Sequence, residues 1–362
     1  MKIKAAVVHK EGAPFTIEEV ELEPPRSGEM LVRIVACGVC HTDDKARNGY
    51  FTPFPAVLGH EGAGVVEQVG EGITEFQPGD HVVLSYPFCC ECDNCLKGKP
   101  FYCYRSTELS FFGRFKDGHT PLSRGGKAIN AFFSQSSFAT YAIVRANSAV
   151  KVDRDIDLRL LAPLGCGIQT GAGAIVNALR PEPGSSIVIF GTGTVGLSAI
   201  MGAAAVKCGK IIAVDIIDDR LEMAKTYGAT DAINSRETED IPARIRELTD
   251  GKGADYALDT TAVESCTLNA LKSLHTGGKG VCVAASKRLV LDPAPSYLIG
   301  RSWSYIIEGE AVSRDFIPTM IRWYREGIFP FDRMISFYPF EQINEAFADT
   351  KKGLATKAVL VM

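Results

Sequence analysis

The chain has 362 residues, 46% apolar and 23% charged, with a net charge of −4 and no basic block. That length supports two domains with ample core, and the charge balance excludes nucleic acid and an acidic membrane surface as partners. No apolar run reaches the roughly 18 residues of a membrane span, and residues 1–10 hold none long enough for a signal peptide. A cytoplasmic location is therefore expected, with the eleven cysteines serving as thiols or metal ligands, not disulfides.

Residues 1 to about 165 read as β-rich. Residues 4–9, 30–36, 62–69 and 81–85 are short runs rich in Val, Ile and Ala, punctuated by Pro24-Pro25, Gly70-Glu71-Gly72 and Pro78-Gly79-Asp80. Many short strands separated by such turns predict a small barrel or sandwich. Within this region Cys40-His41-Thr42-Asp43-Asp44 and Gly59-His60-Glu61 offer a thiol, an imidazole and carboxylates. A catalytic zinc uses three such protein ligands and keeps one position open. Cys40 and His60 meet only if the chain folds back, and Pro53, Pro55 and Gly59 supply the turn chemistry. Cys166, in Pro163-Leu164-Gly165-Cys166-Gly167, is the best candidate for the third ligand. Taken singly, a Cys is usually a small buried apolar residue and a His usually structural. His60-Glu61 does not start a zinc-protease helix motif, which needs His four positions on where this chain has Gly64.

Cys89, Cys92, Cys95 and Cys103 follow, spaced C-x2-C-x2-C-x7-C. Four thiolates on a short loop close a tetrahedral shell, the pattern of a structural zinc without an open position. Cys90 breaks the spacing, and Cys37, Cys208, Cys266 and Cys282 read as core thiols.

From residue 187 the pattern becomes alternating strand and helix. An apolar strand at 187–190 runs into Gly191-Thr192-Gly193-Thr194-Val195-Gly196, then a helix at 197–207 and a strand at 211–214 ending in Asp215. This is G-x-G-x-x-G in the context that gives it meaning: glycines for a tight turn and close approach of a pyrophosphate, then a helix N-terminus. Asp215 is placed to accept from ribose hydroxyls and to repel a 2′-phosphate, favouring NAD over NADP. Further helices at 218–227, 241–248 and 263–274 alternate with strands at 232–234, 255–259, 280–284 and 303–307. An α/β fold with a doubly wound parallel sheet follows. Residues 314–324 read as a helix, and 358–361 as a strand returning to the first domain.

With both cysteine signatures and the dinucleotide motif present, the whole chain resembles the zinc-dependent medium-chain alcohol dehydrogenases. Residues 132–139 and 163–173, together with His41, look like the aryl-alcohol (benzyl alcohol) dehydrogenase branch. The resemblance implies a GroES-like β-rich catalytic domain of residues 1–167 and 308–362 and a Rossmann NAD-binding domain of residues 168–307. It implies two zinc ions per chain: a catalytic one on Cys40, His60 and Cys166, and a structural one on Cys89, Cys92, Cys95 and Cys103. Thr42 matches the hydroxyl that takes the substrate proton. Asp43 matches the carboxylate orienting the zinc-bound imidazole, and Glu61 an acid behind the zinc. His41 is expected near the pyrophosphate, with Arg220 and Lys357 near the adenosine ribose and pyrophosphate. Lys45 departs from the family, standing where many relatives place a proton-relay His. Tyr50, Phe51, Phe54 and Tyr86 are expected as pocket walls, with Ser85 in place of a bulky aromatic.

The implied activity is hydride transfer between NAD and a primary alcohol/aldehyde pair, aromatic or allylic, in a homo-oligomer. The alternatives are a polyol or other secondary-alcohol dehydrogenase, a zinc-free quinone reductase, and a non-catalytic zinc-stabilised dinucleotide-binding protein. The full ligand set argues against the zinc-free form, the aromatic residues against polyols, and Thr42 beside an open metal position against a structural role.

Overall fold

The structure, a computed structural model, describes residues 1–284, 288–291 and 299–362. It divides into two units, one of residues 1–166, 312–318 and 332–362, the other of residues 167–311 and 319–331. The helix Ser313–Arg325 is shared between them, so the return to the first unit comes in two segments and not as one block from residue 308.

The first unit opens with β1 (Lys2–Val8), β2 (Thr16–Leu22), β3 (Glu29–Gly38), β4 (Ala56–Val57), β5 (Gly62–Val69), β6 (His81–Leu84), β7 (Leu122–Arg124), β8 (Lys127–Ile129), β9 (Tyr141–Arg145) and β10 (Ala149–Val152). A five-stranded sheet runs β4-β1-β2-β7-β8. In β2, Val20 and Leu22 are buried while Glu19 and Glu21 are exposed, the period-2 pattern of a strand with one wet face. β1 is buried on both faces, because successive side chains point opposite ways. Ile3, Ala5 and Val7 join one apolar cluster with Leu31 and Phe115, and Ala6 and Val8 join another with Phe132 and Phe138.

The second unit holds β11 (Ser186–Phe190), β12 (Lys210–Asp215), β13 (Asp231–Asn234), β14 (Ala254–Asp259), β15 (Leu274–Cys282) and β16 (Ser302–Tyr305). All pair in parallel, in the order β13-β12-β11-β14-β15-β16. The order reverses beside β11, the place where such sheets bind ligands at their carboxyl ends. Helices Thr194–Ala205, Asp218–Thr226, Ile241–Leu248 and Glu264–Ser273 connect the strands. The third is capped by Asp240, whose carboxylate accepts from Ala243 N at 2.8 Å.

The chain then adds β17 (Ile335–Pro339) and β18 (Lys357–Val361) to the first unit. Its second sheet runs β10-β6-β5-β3-β18-β17, with β9 also on β3. β18 lies antiparallel to the end of β3, Leu360 opposite Cys37 and Val359 opposite Gly38. That register brings the C-terminal strand beside the segment leading to Cys40. Among the described residues no single helix is long and apolar enough to cross a membrane.

Candidate active site

β3 delivers Cys40 to the start of the helix His41–Arg47, and His60 and Glu61 immediately precede β5. Cys40, His60, Glu61 and Cys166 each present one donor atom, and the four atoms lie within 4.8 Å of one another. Asp43 and His60 are buried completely, with Asp43 Oδ1 2.9 Å from His60 Nδ1. Oδ1 also accepts from Gly59 N at 3.0 Å, and Oδ2 from Cys40 N at 3.2 Å. With Nδ1–H donated to Asp43, the lone pair sits on Nε2. Nε2 is buried and has no hydrogen-bond partner. An orphaned imidazole nitrogen facing two cysteine sulfurs and a carboxylate fits zinc.

The electrostatics agree. A hydrogen bond from Cys166 holds the Cys40 thiol well below its usual pKa against the effect of burial, and His60 and Lys357 add to it. Burial opposes charge on His60, yet Asp43 and Cys40 raise its pKa well above the ordinary value. Burial pushes Glu61 up to about 7 while Lys357 pulls it down. A thiolate is thus favoured at Cys40, the form that ligates a metal, and proton release is coupled to metal binding.

Glu61, expected behind the metal, brings a carboxylate oxygen into the donor set itself. Lys357, expected near the pyrophosphate, has a buried ammonium 2.5 Å from Glu61 Oε2 that also donates to Val39 O at 3.0 Å, which places it beside the metal cluster. Thr42 is half-buried in the first helical turn, and His41 and Lys45 are exposed.

Gln135 has no assigned role in the sequence reading, though it lies in the stretch that marks the family branch. It is buried; its amide donates to His60 O at 3.0 Å and Ser85 O at 3.2 Å. Its Oε1 accepts from Gly62 N at 3.3 Å and the Ser137 hydroxyl at 2.7 Å. These bonds fix the backbone around His60 and Glu61. Ser85 is buried too, its hydroxyl donating to Gly165 O at 2.6 Å and bonded to Ser313 Oγ at 2.9 Å. Tyr86, expected as a pocket wall, is buried in an apolar cluster with Phe132 and Phe133. Aromatic rings nearer the cluster are Phe133, 4.5 Å from the His60 ring centroid, and Phe132, 5.6 Å from it. Tyr50 and Phe51 are half-exposed.

Cys89, Cys92, Cys95 and Cys103 form the second donor cluster, again within 4.8 Å. Their sulfurs are separated, Cys92 from Cys95 by 3.5 Å and Cys89 from Cys95 by 3.8 Å. Zinc–sulfur bonds of about 2.3 Å in a tetrahedron put sulfurs about 3.8 Å apart, whereas a disulfide needs about 2.05 Å. Cys92 N donates to Cys89 Sγ and Cys89 N to Cys103 Sγ, both at 3.3 Å, the amide support a thiolate shell requires. Cys90 is exposed with φ 67° and lies outside the cluster.

In the second unit the glycine turn joins β11 to the helix Thr194–Ala205, with Thr194 and Val195 its first residues. Gly191 has φ +85°, and a Cβ there would stand 2.5 Å from Thr260 Oγ1. A Cβ on Gly196 would stand 1.8 Å from Gly191 O, while nothing lies within 4 Å of one built on Gly193. The first and third glycines thus serve packing, and the middle one leaves a cradle open before a helix N-terminus, which fits a pyrophosphate. Asp215 Oδ2 accepts from Thr192 N and Thr192 Oγ1, both at 2.7 Å. Its Oδ1 accepts from Ile216 N at 2.7 Å and Ile217 N at 3.2 Å. The carboxylate expected to meet a ribose therefore also ties the glycine turn to the end of β12. Arg220 is half-buried in the first turn of the helix Asp218–Thr226.

Comparison with known proteins agrees with this geometry. A family model described as "Alcohol dehydrogenase GroES-like domain" matches residues 26–154, and one described as "Zinc-binding dehydrogenase" matches residues 194–326. Geraniol dehydrogenase of Castellaniella defragrans is 43% identical over 363 residues, covering 99% of this chain and 97% of that protein. The crystal structure of an alcohol dehydrogenase zinc-binding domain protein from Burkholderia ambifaria superposes with a TM-score of 0.97 at 45% identity, covering 100% of this chain and 99% of that one. Benzyl alcohol dehydrogenase from Acinetobacter calcoaceticus superposes with a TM-score of 0.96 at 42% identity, with the same coverage.

Proposed function

The chain belongs to the zinc-dependent medium-chain alcohol dehydrogenases, and on that footing we propose that it oxidises primary aromatic or allylic alcohols to aldehydes with NAD. One observation carries the reading: the Cys40, His60, Glu61 and Cys166 donors converge within 4.8 Å, with the Phe133 ring against the ligand imidazole. Such a site pairs a metal with an apolar, ring-lined approach, which suits a hydrocarbon alcohol better than a polyol.

Cys40, His60 and Cys166 would hold a zinc ion, whose Lewis acidity would favour loss of the hydroxyl proton, and NAD would be the hydride acceptor, so that alcohol and NAD give aldehyde, reduced NAD and one proton. The chain does the rest. Thr42, at the start of the helix that begins beside Cys40, receives the hydroxyl proton. Lys45 is exposed, so the proton leaves to water without a buried relay through that side chain. Asp43 and Gln135 hold His60, and Lys357 neutralises Glu61. The Phe132 and Phe133 rings exclude water from the reacting end. The Gly193 cradle and the helix N-terminus behind it would hold the pyrophosphate, with His41 and Arg220 as further contacts, and Asp215 would disfavour a 2′-phosphate.

Two further readings complete the proposal. Among the described residues no two cysteines form a disulfide, which suits a reducing cytoplasm. The outermost strand of the parallel sheet, β16, carries Tyr305 at 46% exposure and is followed by Ile307 at 46%, which suits a homo-oligomer. The deciding experiment loads the protein with zinc, counts the metal, and follows NAD reduction with benzyl alcohol, geraniol and sorbitol. Turnover of the first two and two zinc ions per chain are expected. Preference for sorbitol, or no turnover by a fully loaded protein, would refute the reading.

A further inference from the structure

The short helix Ser106–Phe111 follows the four-cysteine loop and ends in two adjacent rings, Phe111 and Phe112. A distant segment is fastened to its end. Phe133 N donates to Ser110 O at 2.8 Å, the Ser134 hydroxyl to Leu109 O at 3.1 Å, and Ala131 N to Gly113 O at 3.0 Å. Phe133, Ser134 and Ser136 have φ of 51°, 49° and 54°, a left-handed backbone that side-chain-bearing residues rarely adopt. Gly113, at φ +76°, comes so close that a Cβ would stand 2.7 Å from the Asn130 side chain and 2.8 Å from that of Pro53. Helix end and segment are therefore one stapled piece, and the directions of their rings are set together.

Phe111 meets Phe133 at 5.3 Å and 78°, Phe132 at 5.7 Å and 72°, and Tyr50 at 5.5 Å and 88°, all edge-to-face. Inward, Phe132 and Phe133 adjoin His60. Outward, Tyr50 leads to Phe51 at 4.6 Å, and Phe51 to Phe112 at 6.4 Å; these three rings are half-exposed. Among the described residues Phe111 is the ring that touches both the exposed group and the buried pair beside the metal ligand.

We propose that Phe111 is a specificity-determining residue, the stop against which the hydrocarbon end of the alcohol packs; this rests on the function proposed above. A flat substrate ring packed against Phe133 would meet Phe111, which stands edge-to-face to Phe133 at 5.3 Å. A longer or branched chain needs the volume that Phe111 fills. Removing the ring opens a space of about one benzene and takes away a partner for a short substrate, while a long substrate gains room.

The test compares kcat and KM for benzyl alcohol and geraniol in the parent, Phe111→Ala, Phe111→Leu and Phe111→Trp, each checked for its zinc content. Phe111→Ala should lower the benzyl-to-geraniol ratio of kcat/KM by at least about tenfold, the scale on which hydrophobic pockets discriminate. The change should lie mainly in KM, with Phe111→Leu intermediate and Phe111→Trp moving the ratio the opposite way. Should Phe111→Ala fail to fold, the opposed shifts of the Leu and Trp variants carry the test. A ratio unmoved in variants that keep both zinc ions overturns the role of Phe111. A parent that oxidises neither alcohol overturns the function beneath it.

Discussion

Asp43 joins Cys40 to His60: its Oδ1 holds the imidazole at 2.9 Å, and its Oδ2 accepts the Cys40 amide at 3.2 Å. One buried carboxylate thus sets both the ring that carries one ligand atom and the backbone that carries another. Asp43→Asn keeps the shape but removes the charge and places an amide opposite groups that must donate. Zinc affinity at this centre should fall about 10- to 100-fold. Competition with a chromogenic chelator measures it, and an affinity equal to the parent's would show that Asp43 does not orient the ligand.

The two donor clusters should lose metal in order. Four thiolates with amide support close the shell on Cys89, Cys92, Cys95 and Cys103. With zinc on Cys40, His60 and Cys166 as proposed, the Cys40 centre would keep a position for substrate and so admit a chelator. Dialysis against a strong chelator should abolish activity at the loss of one zinc per chain, before the far-ultraviolet circular dichroism changes. Loss of fold together with the first zinc would contradict this order.

Local patterns made much of this legible in the sequence. The spacing of Cys89, Cys92, Cys95 and Cys103 and the run from Gly191 to Gly196 are short-range signals, because one loop or one turn holds each group. The six parallel strands follow from alternating apolar runs and helices. What convergence creates was hidden. Gln135 reaches His60 across 75 residues, and Lys357 reaches Val39 across 318. Neither position differs locally from an ordinary polar residue. The resemblance implies a place for Lys357 near the pyrophosphate but says nothing of Glu61, to which the pairing of β18 with β3 brings it. Ser85 reads in the sequence as space made for substrate, and the bond from its hydroxyl to Gly165 O, 80 residues away, is not legible there. Phe111 carried no motif and becomes visible only through its three rings.

Acid should find Asp80. Burial pushes this carboxyl up, but Lys151 at 2.7 Å and the Gln77 amide at 3.0 Å override it and hold the pKa below the usual value. A depressed folded-state pKa means stability that is fully present above the unfolded carboxylate pKa of about 3.9 and is lost as pH falls through the lower, folded value. At pH 7 Asp80→Asn should be less stable than the parent by about 1–3 kcal/mol. The gap should close below about pH 4. Urea melts of both proteins across this range decide the matter, and a gap that persists unchanged at low pH would assign the loss to shape and not to charge.

Asp215 has two duties that can be separated. Its oxygens accept from Thr192 N, Thr192 Oγ1, Ile216 N and Ile217 N, which fixes the glycine turn. On the function proposed above, its negative charge at the end of β12 would also oppose a 2′-phosphate. Asp215→Ala removes both and leaves buried donors unsatisfied, at a cost of about 1–3 kcal/mol in stability. Asp215→Asn keeps an acceptor oxygen and loses only the charge, so it should retain more stability. Both variants should raise the NADP-to-NAD ratio of kcat/KM, because each removes the repulsion. Thermal melts measured beside the two cofactor ratios distinguish the duties. If Asp215→Asn leaves the cofactor ratio at the parent's value while Asp215→Ala merely weakens both cofactors alike, Asp215 shapes the turn and does not choose between NAD and NADP.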